Sequence, residues 1–465
     1  MIINGLKLSK VDQELYHELI RLGYPEDRIQ VGYRVCSSYR SDITILAPGV
    51  SELPIAVFEV EDYPNQLRPE NVMEFAVSTK ETFACDFYLY FYKNDQSCVH
   101  RFNGSTFEIA EIPTYKELLK NIRKKYNYIS DIAMENFSVF EYSKMNFCNG
   151  VNVFIGENGT GKTQILKMLY TICMALNKQH ENFALSMLDI VDVFKIEEEE
   201  ELVSRNAKKR QQDLKINITF KGLPSISFCI GHDGGITMKN PPIKNMYSFS
   251  YVYLPSHEVF SIYKHYFSFY NAYRRKWLYD ATYTDLISYL GLPPTESFSE
   301  SVDDICSLIG STLGGYFYLD EKNDTFMFKR LNEEIPFPVD LTAEGWRKLG
   351  EILVLLKNGV LTQGSILFWD EPEANLNPAL IKVIAHVIVQ LGAIGVQVFL
   401  TTHSLFLLRE LDILAKSKSK IDGIRYFNFP QPGTVETGSS PEDLGDILTL
   451  NESIAQSERF MQMED

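Results

Sequence analysis

The chain has 465 residues, with 45 basic and 61 acidic side chains and a formal net charge of −16. This length is enough for two domains, and a hydrophobic share of 45% with 26 Tyr and 30 Phe is typical of a well-packed globular protein. The acidic balance excludes a general attraction to nucleic acid, so any such contact must come from a local basic patch. Two short basic runs, 208–210 and 274–276, are candidates, with solvated helix faces as the alternative.

Cysteine usage and the absence of long apolar stretches bear on the compartment. The seven cysteines are scattered and form no C-x-x-C pair, which favours buried thiols in a reducing cytosol over disulfides or a zinc site. The start of the sequence has no apolar signal region, and no stretch is long enough to span a bilayer. We therefore expect a cytoplasmic protein without a membrane partner.

Helices and strands alternate in the first part of the chain. The patterns predict helices over 12–22 and 70–82, and strands around 30–36, 42–47, 54–61 and 87–92. A basic helical stretch over 116–130 then leads into an alternating β pattern. We place a domain boundary there, which gives a small α/β domain over 1–128 and a second domain over 129–465.

Three acidic residues of the first domain have the spacing of a metal site. Asp42 begins a predicted strand, and Glu59 and Glu61 alternate on the next one, so that both point to one face. Three carboxylates at a strand edge can hold a Mg²⁺ ion that activates water for phosphodiester cleavage. Exposed acids on an edge strand are the structural alternative.

This layout resembles the PD-(D/E)xK nuclease fold, especially the nuclease domain of type I restriction enzyme motor subunits. The resemblance covers about 115 residues and rests on a helix carrying Glu14 and Glu18, LGYPEDRI before the strands, and a helix before FYLYFY. Glu61 stands where that family usually has Lys. The resemblance implies a restriction-endonuclease-like domain that is either an active nuclease or a degenerate docking module, and an unrelated α/β domain remains the third reading.

A glycine-rich turn opens the second domain. VNVFIGENGTGKTQILKML (151–169) changes from β-formers to glycines and then to a helical pattern, with full P-loop spacing. Backbone N–H groups of such a loop surround phosphates, the lysine reaches the β and γ oxygens, and the threonine hydroxyl binds Mg²⁺. The predicted ATP-binding residues are Gly156, Asn158, Gly159, Gly161, Lys162, Thr163 and Gln164.

Two later strands end in groups that suit hydrolysis. ILFWDEPEANLNP (366–378) places Asp370 at a strand end to hold Mg²⁺ with Thr163, and Glu371 next to it to orient or deprotonate the attacking water. VFLTTHS (398–404) ends near His403, which is predicted to contact the γ-phosphate. The predicted catalytic residues are Lys162, Glu371 and His403.

The order of these motifs resembles the ABC-class ATPases, and more closely the bacterial AAA-15/AAA-21-type ATPases related to OLD and to chromosome-maintenance ATPase heads. The resemblance covers 130–465 and implies an α/β P-loop ABC-type ATPase head, with a helical insertion lobe at about 175–340. It also implies a homodimer or a multiple of dimers, in which ATP lies between the P-loop of one copy and the signature segment of the other.

The signature segment departs from the family pattern. LTAEGWRKLG (341–350) supplies Gly345 and Arg347 as predicted nucleotide contacts, but Ala343 stands at the serine position, with Thr342 beside it. In VYLPSHEVF (252–260), Ser256 and His257 stand where the family has Gln. One further aromatic position is open: Phe140 or Tyr142 either stacks on adenine or belongs to the strand core.

Two functions of different classes follow from these features. The first is an ATPase that couples ATP binding and hydrolysis to recognition or cleavage of DNA, in bacterial defence against phage or foreign DNA. The second is a regulatory ATPase that holds or releases a separate effector protein, with an inactive N-terminal docking domain. A transporter subunit is the weakest reading, because nothing in the sequence indicates coupling to a membrane partner.

Overall fold

The structure is a computed structural model, and it divides the chain into two units, the first built mainly from residues 1–126 and the second from the remainder. The described residues are 2–3, 6–7, 10–26, 29–31, 41–46, 54–61, 76, 86–93, 96–102, 106–115, 117–118, 128–177, 190–221, 225–240, 250–264, 266, 279–295, 299–320, 322–417 and 423–463.

The first unit contains a mixed sheet. Its elements are β1 (Ile2–Ile3), β2 (Leu6–Lys7), α1 (Lys10–Arg21), β3 (Ile29–Val31), β4 (Ile43–Leu46), β5 (Pro54–Glu61), β6 (Asp86–Lys93), β7 (Gln96–Phe102) and β8 (Phe107–Ala110). Strands β3 to β8 follow one another in sheet order, and β5 and β6 are the parallel pair among antiparallel neighbours. Consecutive residues of β5 and β6 are buried, so both faces of the sheet are covered there. The predicted helix over 70–82 lies outside the described residues except for Ala76.

The second unit is larger. Its strands are β9 (Ile129–Phe137), β10 (Phe140–Asn146), β11 (Val151–Gly156), β12 (Leu214–Phe220), β13 (Ile226–Ile230), β14 (Ile236–Asn240), β15 (Tyr251–Leu254), β16 (Gly315–Asp320), β17 (Thr325–Arg330), β18 (Phe337–Pro338), β19 (Ile366–Asp370), β20 (Gln397–Thr402), β21 (Ile424–Phe429) and β22 (Glu436–Gly438). Its α-helices are α2 (Lys162–Asn177), α3 (Ile190–Phe194), α4 (Arg205–Lys209), α5 (Ala281–Leu290), α6 (Glu300–Leu313), α7 (Glu344–Lys357), α8 (Pro378–Ala393), α9 (Leu405–Ser417) and α10 (Leu448–Met461). Short 3-10 helices lie at Glu199–Leu202, Val339–Leu341 and Pro441–Asp443.

A six-stranded sheet organises this unit, with the order β15-β19-β20-β11-β21-β22. The first five strands are parallel, and β22 is antiparallel to β21. All six residues of β20 are buried, as is expected for a parallel strand covered on both faces. Because β11, β19 and β20 are parallel neighbours, their carboxyl ends meet at one edge of the sheet, and the loops after them lie side by side.

The segment of the predicted helical insertion lobe, about 175–340, contains both helices and strands in its described residues. Strands β12, β13 and β14 pair in series with β9 and β10 to form a five-stranded antiparallel sheet, while β15 joins the central sheet. The hairpin β16–β17 pairs with β18. Strands are therefore a major part of this segment: β12 to β15 join sheets whose other strands lie elsewhere in the chain, and β16 to β18 form a sheet of their own.

The described residues bear on three features of the sequence: membrane spans, cysteines and basic runs. Among the described helices, none is long and apolar enough to cross a bilayer. The described cysteines are free thiols, of which Cys173 is buried and Cys98 is exposed. Cys36 and Cys85 lie outside the described residues, as does the basic run 274–276. The other basic run, 208–210, ends α4 and is partly or fully exposed.

Candidate nucleotide-binding site

The loop between β11 and α2 packs closely against the side chain of Phe140. Gly161 has φ +100°, a value that favours glycine, and a Cβ built on it would lie 2.6 Å from Cε2 of Phe140. Phe140 is fully buried and therefore belongs to the core, whereas Tyr142 on the same strand is exposed. A glycine is required at position 161 because the loop passes directly over the Phe140 ring.

Lys162 is folded back onto this loop. Its side chain is 5% exposed, and Nζ donates to the carbonyl oxygens of Gly156 at 2.8 Å and Glu157 at 2.6 Å. Burial lowers the pKa of Lys162 to about 8, although the nearby carboxylates of Glu371 and Asp370 oppose that shift. A phosphate would give this ammonium a partner of opposite charge, which the two carbonyl groups do not.

Asp370, at the end of β19, is held by three hydroxyl groups. Its Oδ1 accepts from Oγ1 of Thr163 at 3.0 Å and from Oγ1 of Thr401 at 2.5 Å, and its Oδ2 accepts from the Tyr253 hydroxyl at 3.3 Å. Thr163 and Asp370 are therefore brought together as the sequence predicts. Thr401 and Tyr253 were missed, because a threonine and a tyrosine on buried strands have the pattern of ordinary core residues.

These contacts allow a test of whether a magnesium ion fits. The Thr163 hydroxyl and the Asp370 carboxylate supply adjacent oxygen ligands, the type that Mg²⁺ prefers, and neither a thiol nor an imidazole competes in that pair. Hydrogen bonds from Thr401 and Tyr253 fix the orientation of the Asp370 carboxylate. The residues present fit a Mg²⁺ ion bound together with a nucleotide.

Glu371 and His403 face each other across the mouth of the site. Nε2 of His403 lies 3.3 Å from Oε1 of Glu371, and both side chains are partly exposed. Burial, together with the charge of Lys162, lowers the pKa of His403, so its neutral form is favoured near pH 7. Glu371 has φ +47°, and its backbone N–H donates to Oγ1 of Thr401 at 3.1 Å.

A cavity of about 190 Å³ contains the predicted catalytic groups and most of the predicted ATP contacts. Its lining residues are Val139, Asn158, Gly159, Gly161, Lys162, Thr163, Gln164, Glu371 and His403. Gln164 is held at this cavity because its Oε1 accepts from the Ser138 hydroxyl at 2.5 Å. A second cavity, of about 360 Å³, adjoins the first, and sequence analysis missed that the start of α10 contributes to it. It is lined by Gly156, Glu157, Asn158, His403, Leu448 and Thr449.

The signature segment 341–350 is packed elsewhere within the same chain. Ala343 is the N-cap of α7 and makes no side-chain cap bond. Gly345 lies against the turn before α8, where an added Cβ would be 2.5 Å from Leu376, and Arg347 forms a 3.1 Å ion pair with the buried Glu258. None of residues 341–350, all of which are described, lines either cavity at the P-loop. The structure therefore does not bring Gly345 and Arg347 to the nucleotide site of their own chain.

The loop after β15, where a glutamine was expected, also lies at the signature helix. His257 is exposed, and its Nδ1 is 3.9 Å from Oε1 of Glu344 in the first turn of α7. Neither Ser256 nor His257, both described, lines the two cavities.

In the first unit, the predicted acidic site is partly outside the described residues. The Asp42 carboxylate accepts from the backbone N–H of Val60 at 2.8 Å, which places it beside the strand that carries Glu59 and Glu61. The side chain of Glu61 is outside the described residues. Among the described residues, three adjacent metal-ligating groups occur at Glu198, Glu199 and Glu200, and not at Asp42 and Glu59. The nuclease site stays a prediction.

A P-loop, a carboxylate beside it, and a glutamate–histidine pair at the same sheet edge define a P-loop ATPase site. Family comparison agrees: residues 128–274 match the family described as "AAA ATPase domain", and residues 245–409 match "AAA domain, putative AbiEii toxin, Type IV TA system". Both matches support an ATPase domain of the ABC/AAA class in this chain.

Similar proteins fall into two groups. Residues of this chain are 29% identical over 91 residues to the DNA replication and repair protein RecF of Geobacillus kaustophilus, and 36% identical over 55 residues to RecF of Bacillus pumilus. The matches cover 20% and 12% of this chain, and the chain spans 23% and 15% of those two proteins.

Solved structures form the second group. The chain is similar to an SMC head bound to the C-winged helix domain of ScpA, with 13% identity, a TM-score of 0.43, and coverage of 68% of this chain and 98% of that one. It is also similar to the recombination mediator RecF with bound ATPrS, with 14% identity, a TM-score of 0.37, and coverage of 67% and 98%.

Proposed function

We propose that the chain hydrolyses ATP and that a second copy of the chain completes each site. The observation that carries the proposal is the division of the expected site: the P-loop, Glu371 and His403 line one cavity, while the signature segment of the same chain does not line it. Asp370 lies beside that cavity, bonded to Thr163. A second copy could present the start of α7 to the open side of the nucleotide, where a helix N-terminus attracts phosphate.

In this proposal the chain's own groups divide the chemistry. Lys162 moves from the loop carbonyls to the phosphates, and the neighbouring backbone N–H groups bind the phosphate oxygens. Glu371 orients and deprotonates the attacking water, and His403 holds Glu371 on one side while its ring approaches the γ-phosphate. A Mg²⁺ ion held by Thr163 and Asp370 would neutralise phosphate charge when bound.

The downstream role that we propose is recognition or cleavage of DNA, in defence against foreign DNA. It is supported by the relatives that match over short stretches, which are named DNA replication and repair proteins. It is also supported by a family description that mentions a toxin system. The net charge of −16 limits DNA contact to local patches such as 208–210. Release of a separate effector protein is the alternative, and the experiments below separate the two.

The hydrolysis step is tested by phosphate release from wild type, Lys162→Ala and Glu371→Gln. We expect Glu371→Gln to bind ATP but to lose about 10²- to 10⁴-fold in kcat, the range typical of a general base. Lys162→Ala should lose ATP binding as well. Unchanged turnover in Glu371→Gln would show that the site is wrongly assigned. Sizing Glu371→Gln with and without ATP tests the second copy, and a mass that stays at one copy would count against it.

The role of the first unit is tested with linear and circular DNA, Mg²⁺ or Mn²⁺, and with or without ATP. The support for a cleavage site is that Asp42 is fixed at Val60, between the two glutamates of β5. We expect cleavage by wild type and its loss in Asp42→Ala. Glu111→Ala is the matched control, since Glu111 follows β8 at the far edge of the sheet. Intact ATPase activity without cleavage in any condition would favour the effector-binding alternative.

A further inference from the structure

The carboxylate of Glu373 joins the turn after β19 to the loop that carries His403. Its Oε1 accepts three hydrogen bonds: from Oγ1 of Thr402 at 2.6 Å, from the backbone N–H of His403 at 2.9 Å, and from the backbone N–H of Ser404 at 3.2 Å. One oxygen atom thus fixes three consecutive residues, with His403 at their centre.

These bonds do more than cap the helix that follows. Helix α9 begins at Leu405, and the Ser404 hydroxyl already accepts from the backbone N–H of Leu407 at 3.2 Å, which is the bond an N-cap residue makes. Because Ser404 fills that role, the contribution of Glu373 falls on the backbone of residues 402–404. The element it orders is therefore the His403 loop itself.

The same turn holds His403 at a second point. Glu371, two residues before Glu373, lies 3.3 Å from the His403 ring, and its φ of +47° shows that the backbone turns sharply there. Glu371 thus contacts the imidazole while Glu373 holds the main chain of the same residue. The turn after β19 therefore holds both the main chain of His403, through Glu373, and its ring, through Glu371.

Two lysines compensate the negative charge of Glu373. Its second oxygen, Oε2, is buried and has no hydrogen-bond partner among the described residues. A buried carboxylate is tolerated when cations are near, and the charge of Glu373 acts on both Lys162 and Lys348. Lys348 in turn donates to the carbonyl oxygen of Ala374 at 2.8 Å, which fixes the residue after Glu373.

We infer that Glu373 is a positioning residue for ATP hydrolysis, which acts by holding His403 against Glu371. The inference rests on the proposed function, since it assigns Glu373 a role in that reaction. Glu373 does not line either cavity at the P-loop, so it acts through His403 and not on the nucleotide. A structural role alone would change stability without changing turnover.

The test measures kcat and KM for ATP in wild type, Glu373→Ala, Glu373→Gln, His403→Ala and the double variant Glu373→Ala/His403→Ala. We expect Glu373→Ala to lower kcat by roughly tenfold or more, with a change in KM below about threefold, because transition-state contacts are lost while ATP binding remains. Glu373→Gln keeps an oxygen acceptor for the three donors and should restore most of kcat. In the double variant, kcat should fall no further than in His403→Ala, because both changes remove the same interaction.

Asp443→Ala is the matched control for loss of a carboxylate that binds backbone. Asp443 accepts from the N–H groups of Ser439 and Ser440, both at 2.8 Å, on the surface. We expect it to change the unfolding midpoint without changing kcat. Wild-type turnover in Glu373→Ala, or independent losses that add up in the double variant, would overturn the inference. If wild type does not hydrolyse ATP, or if Glu371→Gln is fully active, the proposed function fails and the inference fails with it.

Discussion

Gly161 shows how strongly one residue of the P-loop is constrained. It combines a left-handed backbone with a contact to the Phe140 ring, and Phe140 is itself fixed in a fully buried strand. Gly159, two residues earlier, has φ +78° but open space around its Cβ position. The two glycines therefore share the backbone requirement and differ in the steric one.

This difference gives a prediction for the stability of the nucleotide-free protein. A left-handed backbone at a non-glycine residue costs about 1–3 kcal/mol, so Gly159→Ala should lower the free energy of unfolding by that amount. Gly161→Ala should lower it further, because the added methyl group must displace Phe140. Urea denaturation of both variants measures the difference. Equal losses in the two variants would show that the loop relaxes away from Phe140 without cost.

The P-loop residues and the carboxylate at the end of β19 were predictable from the sequence, and the residues that hold them were not. Lys162, Thr163 and Asp370 follow from motif spacing, and the structure places them together. Tyr253 and Thr401 were missed because each bonds Asp370, which lies on a neighbouring strand. The sequence of one strand does not show which strand lies beside it. Glu373 lies in the turn after β19, where an acidic residue is normally solvated.

At the scale of elements, helix α7 buries an acidic residue. Glu351 is 3% exposed, and its Oε1 accepts from the backbone N–H of Val259. Burial, and the negative charge of Glu258, raise the pKa of Glu351 to about 8. Arg347 and Lys348, one turn earlier on the same helix, are also largely buried. The helix is thus joined to the loop after β15 by charged groups as well as by apolar packing.

A pH dependence of stability follows from this carboxyl group. Its folded-state pKa lies above the ordinary value of 4.5, so the folded protein binds more protons than the unfolded chain between pH 4.5 and about 8. The contribution of Glu351 to stability is therefore full below pH 4.5 and is lost as the pH rises towards 8, by up to about 1.4 kcal/mol per pH unit. Glu351→Gln keeps the acceptor for Val259 and should remove this dependence, so the variant should exceed wild type in unfolding free energy at pH 8. Denaturation at pH 5 and pH 8 tests this, and an identical pH slope in both proteins would contradict it.

The strands of the second unit explain why the organisation of elements was less predictable than the site. Strand β12 pairs with β9, about 80 residues earlier in the chain, and β15 is a four-residue strand at the edge of the central sheet. Local patterns identify such strands but not their partners. The segment was therefore predicted only as a helical insertion lobe at about 175–340, whereas β12 to β15 belong to two sheets whose other strands lie elsewhere in the chain.

At the scale of the whole molecule, Ala343 bears on whether two copies share a site. It caps α7 without a side-chain bond, and the cavity at the P-loop is lined by other parts of the chain. If the start of α7 from one copy lies on the nucleotide held by the other copy, a negative charge at position 343 would face the phosphates of that nucleotide. Asp and Asn are both good N-cap residues, so Ala343→Asp and Ala343→Asn should each stabilise the helix while differing in charge.

A mixing experiment then decides whether the site is shared. We expect Ala343→Asn to retain ATPase activity, while Ala343→Asp and Lys162→Ala are each inactive because phosphate is repelled or not held. A pair formed by one copy of each inactive variant has one site with an intact P-loop and an uncharged position 343. If copies exchange at random in a two-fold dimer, an equal mixture should therefore recover about a quarter of wild-type activity. A mixture that stays as inactive as its parents, although sizing shows that mixed pairs form, would mean that each chain hydrolyses ATP without its partner's signature segment. Full activity of Ala343→Asp alone would lead to the same conclusion, because the charge would then lie away from every phosphate.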